Sequence, residues 1–465
     1  MSIVRSAYDH APVFAQNVML SGYGAWLRYL RSGARHTQMI AELRAAEQEP
    51  EARWRAAQLA TLRQVTAAAQ AHVPFYQHRL PAGGVRNVEE YQQLPILTKA
   101  EAQATGRALV SQRYPAASLQ EIHTGGTTGT PLTIHVDRTA LQRNYAFYFQ
   151  LREWAGITPT DRVATFAGRT IVSPDRKAPF WRHNWAARTL LCSSYHLAPD
   201  TIDDYLDALR TFGPALIDTY PSSLEPLARR ILERGDRPVS PRAIITSSET
   251  LRPEVRAAAE AAFGCKVFDH YGSAEMVALI NHCEQGAYHV HPAFGYLEIL
   301  VDGRPAEAGE TGEIVSTGFV NPVMPLIRWR TGDLATAGSS VCPCGRTSQT
   351  VRAIIGRQDD VIITPRGRRV GRLDPIFKAV SAIHEARIVQ DRADHVRVEL
   401  VPIGVIPDAE CRALRDELQR RLGDEMSISI VEVPRLVRTA GGKLRTVVNE
   451  HARRQSVDPT RDAES

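Results

Sequence analysis

From Arg138 to Asp269 the chain repeats one pattern: an amphipathic run of helical length, a short apolar run, then a polar turn. Helical spacing is read over 138–154, 202–212, 222–233 and 253–263, with short strands over 162–166, 215–219, 242–246 and 266–269. Strands joined through helices pair in parallel and are covered on both faces. The rhythm therefore predicts an α/β fold, with a large N-terminal domain built on doubly wound parallel sheets. It also says where a ligand sits, because such sheets bind beyond the carboxyl ends of their strands. The sequences there are Thr219-Tyr220-Pro221-Ser222, Thr246-Ser247-Ser248-Glu249-Thr250 and His270-Tyr271-Gly272-Ser273-Ala274-Glu275. They are polar, turn-forming, and carry two carboxylates.

The flanks read differently. Residues 11–33 mix apolar and aromatic positions (Val13, Phe14, Val18, Leu20, Trp26, Leu27, Tyr29, Leu30) with glycines, and 51–71 has helical spacing up to Val73-Pro74. A helical arm over 1–80, packed on the body through those apolar positions, is expected. Ser222 or Ser223 is the expected cap of the 222–233 helix. From Tyr296 the pattern turns to short strands, a β-rich subdomain. After Gly356-Arg357-Gln358-Asp359-Asp360 come a hairpin pattern (Val361-Ile362-Ile363, then Arg369-Val370) and strand, strand, helix, strand over 386–389, 395–401, 410–422 and 427–433. The expected division is an arm (1–80), a large domain (81–358), a small α+β lid (359–455) and a flexible tail (456–465).

A net charge of +5 over 465 residues, with arginines spread out, argues against a nucleic-acid partner. No signal-peptide pattern and no apolar run long enough to span a bilayer are present, so a cytoplasmic protein without stable membrane insertion is expected, monomeric or homodimeric. Cysteines clustered in a reducing compartment point to metal more than to disulfides.

The run His123-Thr124-Gly125-Gly126-Thr127-Thr128-Gly129-Thr130-Pro131 has no bulky apolar side chain. Glycine lets backbone approach a ligand, and successive N–H groups with hydroxyls suit phosphate oxygens. It is not a Walker loop, since no Gly-Lys-Ser/Thr closes it. A cation must come from elsewhere, and the only lysines are Lys99, Lys177, Lys266, Lys378 and Lys443.

This loop, Tyr271-Gly272-Ser273-Ala274-Glu275, Arg330-Thr331-Gly332-Asp333-Leu334, Gly356-Arg357-Gln358-Asp359-Asp360 and Gly442-Lys443 occur in register. Together they resemble the adenylate-forming superfamily, and within it the phenylacetate-CoA-ligase-like branch that includes the capsular-polysaccharide (CapK-like) type. The resemblance implies ATP-dependent, AMP-forming activation of a carboxylic acid, followed by transfer to coenzyme A. A non-CoA acceptor (amine, hydroxyl or carrier thiol) is the alternative within the class, and a catalytically inactive, zinc-stabilised adapter the alternative outside it. It further implies that Thr124, Gly125, Gly126, Thr127, Thr128 and Gly129 hold the β- and γ-phosphates. Glu275 would hold Mg²⁺, with Gly272 and Ser273 alongside; Tyr271 would stack on adenine, with Ser248 and Glu249 at its edge. Asp333 and Arg357 would hold the ribose, and Asp359 would be the hinge. Lys443 would bridge the acid and the α-phosphate, so that Thr127, Glu275 and Lys443 form the catalytic set. Three departures stand out, one being that the Gly/Thr loop ends Thr130-Pro131-Leu132 where many relatives have Pro-Lys. Ala274 replaces the usual Thr or Ser before the metal-binding glutamate, and the 359–367 hinge loop is one residue longer than usual and lacks its lysine. His123, Tyr145, Tyr148, Trp181, His183, Tyr220 and His270 are candidates for the acyl pocket.

Cys342-Pro343-Cys344-Gly345 and the upstream Cys283 make three thiolates, and His289 or His291 completes a closed tetrahedral set. Structural Zn²⁺ on Cys283, His289, Cys342 and Cys344 is expected. Cys192, Cys265 and Cys411 read as small core residues.

Overall fold

The computed structural model describes residues 7–124, 132–167, 171–173, 176–339, 342–357, 362–365, 369–370, 373, 376–377, 383–438 and 444–451. It opens on α1 (Val13–Arg31), α2 (Ala34–Ala46) and α3 (Glu51–His72). The last stops where Val73, held extended by the following proline, leaves helical space. Short helices α4 (Val88–Gln92) and α5 (Lys99–Thr105) are capped by Asn87 and Thr98, whose side chains accept the N–H of Glu90 and Glu101. The hairpin β1 (Gln120–His123) and β2 (Thr133–Val136) flanks the Gly/Thr loop and pairs His123 with Thr133. Helix α6 (Arg138–Trp154) follows, with Asp137 accepting the Ala140 N–H.

Next come β3 (Val163–Ala167), β4 (Trp181–Asn184), β5 (Thr189–Ser193), α7 (Ile202–Phe212), β6 (Leu216–Thr219), α8 (Pro221–Arg234), β7 (Ala243–Ser247), α9 (Pro253–Phe263) and β8 (Lys266–Gly272). Strands β5, β3, β6, β7 and β8 are mutually parallel neighbours. The α/β class read from the rhythm is the observed one. The β-rich stretch continues the same sheet: β9 (Leu279–His282), β10 (Tyr288–Val290), β11 (Gly295–Val301), β12 (Arg304–Pro305), β13 (Thr311–Gly318), β14 (Trp329–Ala337) and β15 (Thr350–Arg357). The 13 strands run in the order β12-β11-β13-β14-β15-β10-β9-β8-β7-β6-β3-β5-β4.

Alternation along the parallel strands splits their side chains between two cores. Phe166, Ile217, Ile244 and Val267 pack under α7, α8 and α9. Val163, Leu216, Ile245 and Phe268 pack with Leu151 and Trp154 of α6. The α8 N-terminus differs from expectation. Its cap position is Tyr220 with no side-chain cap, and the Glu249 carboxylate instead accepts the Ser222 N–H at 2.9 Å. A tertiary carboxylate at the positive helix end does the work expected of a local serine.

The arm is also held differently. Its buried residues include Gln16 and Asn17, whereas Phe14, Trp26 and Tyr29 are exposed. Asn17 Oδ1 accepts the His183 N–H at 2.9 Å, and Gln16 accepts from the buried Arg182. Gly24 is required here: a Cβ would lie 2.1 Å from Asn184 Nδ2. Polar groups meeting the edge strand β4 dock α1, while Met39, Ile40 and Leu43 of α2 and Leu62 of α3 enter the large apolar core. Among the described residues no helix is long and apolar enough to cross a membrane.

The chain divides into two compact units, the second comprising mainly Ile355–Ser465 together with Gly332–Leu334. In that unit β16 (Ile362–Ile363) pairs with β17 (Arg369–Val370). Strands β18 (Ile383–Arg392), β19 (His395–Pro402), β20 (Ser427–Glu432) and β21 (Val447–Asn449) form a sheet in the order β20-β19-β18-β21, with α10 (Asp408–Leu422) supplying Leu414, Leu418 and Leu422 to its core. Buried Gln390 ties the hairpin in, giving Nε2–H to the Ile363 carbonyl at 2.6 Å and accepting the Ile363 N–H at 2.9 Å.

In the large unit Arg328 and Glu298 pair through two 3.0 Å bonds with side chains 6% and 4% exposed. Arg328 also donates to the carbonyl of Leu94 at 2.6 Å. Burial raises the Glu298 pKa against the pull of Arg328. Arg328→Met should therefore cost about 3–5 kcal/mol by stranding a buried carboxylate, whereas Arg328→Met with Glu298→Leu should recover most of that loss. Urea denaturation of the three proteins checks it.

Candidate active site

A cavity of about 1890 Å³ opens beyond the carboxyl ends of β3, β6, β7 and β8. The sheet contributes Asp218, Ser248, His270 and Gly272; α6 contributes Tyr145, Tyr148 and Arg152, and the arm closes it with Leu27 and Arg28. Its position follows from the sheet: parallel strands all end on one side, leaving their last residues and turns to line the gap under α6. A compact ligand needs ~300–1000 Å³, so the space takes more than one small reactant.

A polar cluster forms its floor. Tyr148 donates its hydroxyl to Asp218 Oδ2 at 2.5 Å, and Arg152 Nη2 reaches the same oxygen at 3.3 Å. The Arg152 guanidinium lies 5.0 Å from the Tyr148 ring centroid. Beside them His270 Nδ1 meets Asn281 Oδ1 at 2.7 Å, and Asn281 Nδ2 meets His291 Nε2 at 2.9 Å. With the Asn281 carbonyl toward His270, that ring carries its proton on Nδ1 and leaves Nε2 as an acceptor. Burial keeps His270 neutral by lowering its pKa. A Cβ at Gly272 would sit 3.1 Å from His270 Nε2, so glycine keeps this edge clear.

Of the residues expected at a nucleotide, Ser248 and Gly272 line the cavity. Ser248 has φ +71°, a left-handed conformation a serine adopts at a cost, of the kind concentrated at binding sites. Glu249 is turned away onto the α8 N-terminus, with its second oxygen accepting the Ser222 hydroxyl at 3.0 Å. Tyr271 lies on the opposite face of β8 from His270 and packs against the large core. In the turn after β8, the Ser273 Oγ is buried without a hydrogen-bond partner among the described residues. The half-buried Glu275 likewise makes no hydrogen bond or ion pair among the described residues. An orphaned hydroxyl and an uncompensated carboxylate side by side suit an incoming cation and phosphate.

Thr124 accepts the Leu132 N–H on its hydroxyl at 3.0 Å, closing the base of the hairpin. Asp333 is a buried residue of β14, in the second unit. Gly125, Gly126, Thr127, Thr128, Gly129, Asp359 and Lys443 lie outside the described residues, as does the Arg357 side chain. Among the pocket candidates, Tyr145, Tyr148, Tyr220 and His270 line the cavity. Trp181 and His183 instead line a separate space of about 390 Å³ against α7. His123 stands exposed on the hairpin, with Nδ1 3.2 Å from the Thr133 hydroxyl. Asp218, Arg152 and Asn281 went unread; the available signal was a carboxylate inside the apolar run 215–219.

The ligand atoms of Cys283, His289, Cys342 and Cys344 all lie within 4.8 Å of one another. Cys283 and Cys342 sulfurs are 3.8 Å apart, and His289 Nε2 is 3.3 Å from the Cys344 sulfur. A tetrahedral zinc with ~2.3 Å bonds to sulfur would separate two sulfurs by ~3.8 Å, so the donor set fits. His289 Nδ1 meets the Ser348 hydroxyl at 3.1 Å, which directs Nε2 to the thiols. His291 is engaged with Asn281 and is not in the set. Burial pushes the Cys342 thiol up to about 12. At Cys344 burial acts the same way but is outweighed, chiefly by the Arg346 backbone hydrogen bond, and the pKa is lowered. Cys192 lies in a core, and Cys265 and Cys411 pack beside cores.

Residues 41–321 match the AMP-binding enzyme family, and residues 362–450 match the CapK C-terminal domain. Protein CapK of Staphylococcus aureus is 25% identical over 460 residues, covering 95% of this chain and 98% of that protein. A phenylacetate-coenzyme A ligase of Thermus thermophilus is 25% identical over 444 residues, covering 86% of this chain and 97% of that one. Among solved structures, 2-hydroxyisobutyryl-CoA ligase in the postadenylation state superposes with a TM-score of 0.66 at 22% identity, over 88% of this chain and 92% of that one. That last likeness is one of fold.

The buried imidazole sets a pH dependence. Above ~6.5 His270 is neutral folded and unfolded; below it the unfolded chain takes a proton that the folded ring refuses. Its contribution is therefore complete above that pH and is lost as the pH falls toward the depressed folded value. The urea midpoint should fall from pH 7 to 5, and His270→Leu should make the fall shallower, by at most ~1.4 kcal/mol per pH unit.

Proposed function

The chain belongs to the AMP-binding enzyme family and is an adenylate-forming ligase, and we propose that it activates a carboxylic acid with ATP and passes the acyl group to coenzyme A. The observation that carries this is the cavity at the strand ends, with Ser248 and Gly272 on its wall and, in the turn after β8, Ser273 and Glu275 whose side chains find no partner among the described residues. An acid carboxylate attacking the α-phosphate brings two anions together, so charge neutralisation and alignment are what the protein must supply.

Glu275 would hold Mg²⁺, which when bound neutralises phosphate charge. The Ser273 hydroxyl, one residue before Ala274, would donate to a phosphate oxygen in place of the missing Thr or Ser. The Gly125–Gly129 loop with Thr127 would receive the β- and γ-phosphates; Asp333 and Arg357 would take the ribose hydroxyls. Lys443 would supply the cation bridging acid and α-phosphate, with Asp359 as hinge of a 359–455 lid. Cys283, His289, Cys342 and Cys344 would hold a structural zinc with no open position. Transfer to a non-CoA acceptor is the second reading.

ATP–pyrophosphate exchange over a panel of acids tests the first step. Exchange is expected with at least one acid, falling ~10²-fold or more in Lys443→Ala and similarly in Glu275→Gln. Unchanged exchange in Lys443→Ala would overturn that lysine's role. Thioester formation on adding coenzyme A separates the two acceptor readings. For zinc, elemental analysis should give one ion per chain in the wild type and loss of it, with a lower Tm, in Cys342→Ser. Full metal in that variant would overturn the site.

A further inference from the structure

Around Asp218, Tyr148 and His270 the cavity floor is rich in acceptors, and Arg152 Nε, buried without a hydrogen-bond partner among the described residues, is an open donor that only a group able to accept as well as donate would satisfy. Tyr148 gives its single hydroxyl proton to Asp218 at 2.5 Å and takes a hydrogen bond from Arg152, which leaves the phenol oxygen with a remaining lone pair and no proton to give. His270 gives its Nδ1 proton to Asn281 at 2.7 Å, so the free Nε2 at the edge of Gly272 is a lone pair. Asp218, half-buried among the cavity walls, has acceptor capacity beyond its bonds to Tyr148 and Arg152. A wholly apolar acyl group seated here would strip water from three acceptors and return nothing.

The charge balance narrows the missing donor. The Asp218 carboxylate is already compensated by the Arg152 guanidinium at 3.3 Å. Burial holds His270 uncharged. The floor is therefore neutral overall, and an ammonium group would add an uncompensated charge. A hydroxyl supplies the donor without the charge. The aromatic rings of Tyr145 and Tyr148 provide apolar walls for the carbon skeleton beside it.

We propose that the acid activated by this protein carries a hydroxyl group, held at the cavity floor by Asp218, Tyr148 and His270. This rests on the reading that the cavity seats the acid for adenylation. The hydroxyl donates to Asp218 or to His270 Nε2. Arg152 and Asn281 act as positioning residues: one holds the carboxylate, the other fixes the imidazole tautomer.

The test uses matched pairs of acids with one carbon skeleton, with and without the hydroxyl: 3-hydroxybutyrate and butyrate, lactate and propionate, 4-hydroxyphenylacetate and phenylacetate. Amino analogues form a third arm. Binding is read by calorimetry and activation by ATP–pyrophosphate exchange, on the full-length protein. At least one hydroxy acid should exceed its deoxy partner by ~10²-fold or more in both, as sites built around a substrate hydroxyl do. Asp218→Asn and Tyr148→Phe should bring that ratio toward unity. The wild-type ratio stands as evidence even where a variant does not fold. Preferential binding of a hydroxy acid without exchange would leave the subsite standing and overturn the adenylation reading. Exchange as fast with every deoxy partner would overturn the subsite and leave adenylation standing. Preference for the amino analogue would overturn the choice of a neutral donor. Neither binding nor exchange with any pair would overturn both.

Discussion

The large unit is knotted at Arg346. Its guanidinium, almost fully buried, pairs with Glu284 at 2.9 Å and with Glu47, and lies 4.0 Å over the Trp154 ring. Two carboxylates and an aromatic face recover what burial of the charge costs, and the arginine pKa is raised accordingly. Glu47 follows α2, Trp154 ends α6, and Glu284 follows Cys283, so one side chain joins the arm, the helix over the cavity and the cysteine cluster.

From this knot an unbroken path leads to the cavity. Trp154 stacks on His291 at 5.3 Å, His291 bonds Asn281, and Asn281 bonds His270. Each contact fixes the orientation of the next, which sets a lone pair of His270 toward the cavity without any charge. The cysteine cluster lies at the far end, through Cys344 beside Arg346. A metal there would act on the cavity through geometry, by holding the 342–350 loop.

Local order was legible because it is written in local terms. Helices 138–154, 202–212 and 253–263 begin and end where apolar spacing, caps and proline placed them. The cysteine set was legible because few roles explain Cys-Pro-Cys-Gly, and the four side chains do meet. The arm misled in part. In α1 most of the apolar residues read as a docking face stay at the surface and Gln16 and Asn17 meet the edge strand, which presents polar partners, whereas α2 and α3 pack through apolar residues as expected. At Glu249 packing adds a partner the sequence did not show: the carboxylate at the strand end reaches the positive end of α8 and accepts the Ser222 N–H.

What the sequence determined is the class of fold, through the strand–helix rhythm, and the chemistry, through residue types at the strand ends. Periodicity and side-chain functional groups are properties of the chain, and no partner is needed to read them. What the tertiary structure decided is which of those groups meet. Asp218, Tyr148, Arg152, His270 and Asn281 lie on four separate elements; the parallel ends of β6 and β8 under α6, with the antiparallel β9 setting Asn281 across from His270, bring them into one floor. His289 lies on β10 and His291 just past its end; only the packing of the 342–350 loop and of Asn281 sends one to the thiols and the other to the cavity's polar network.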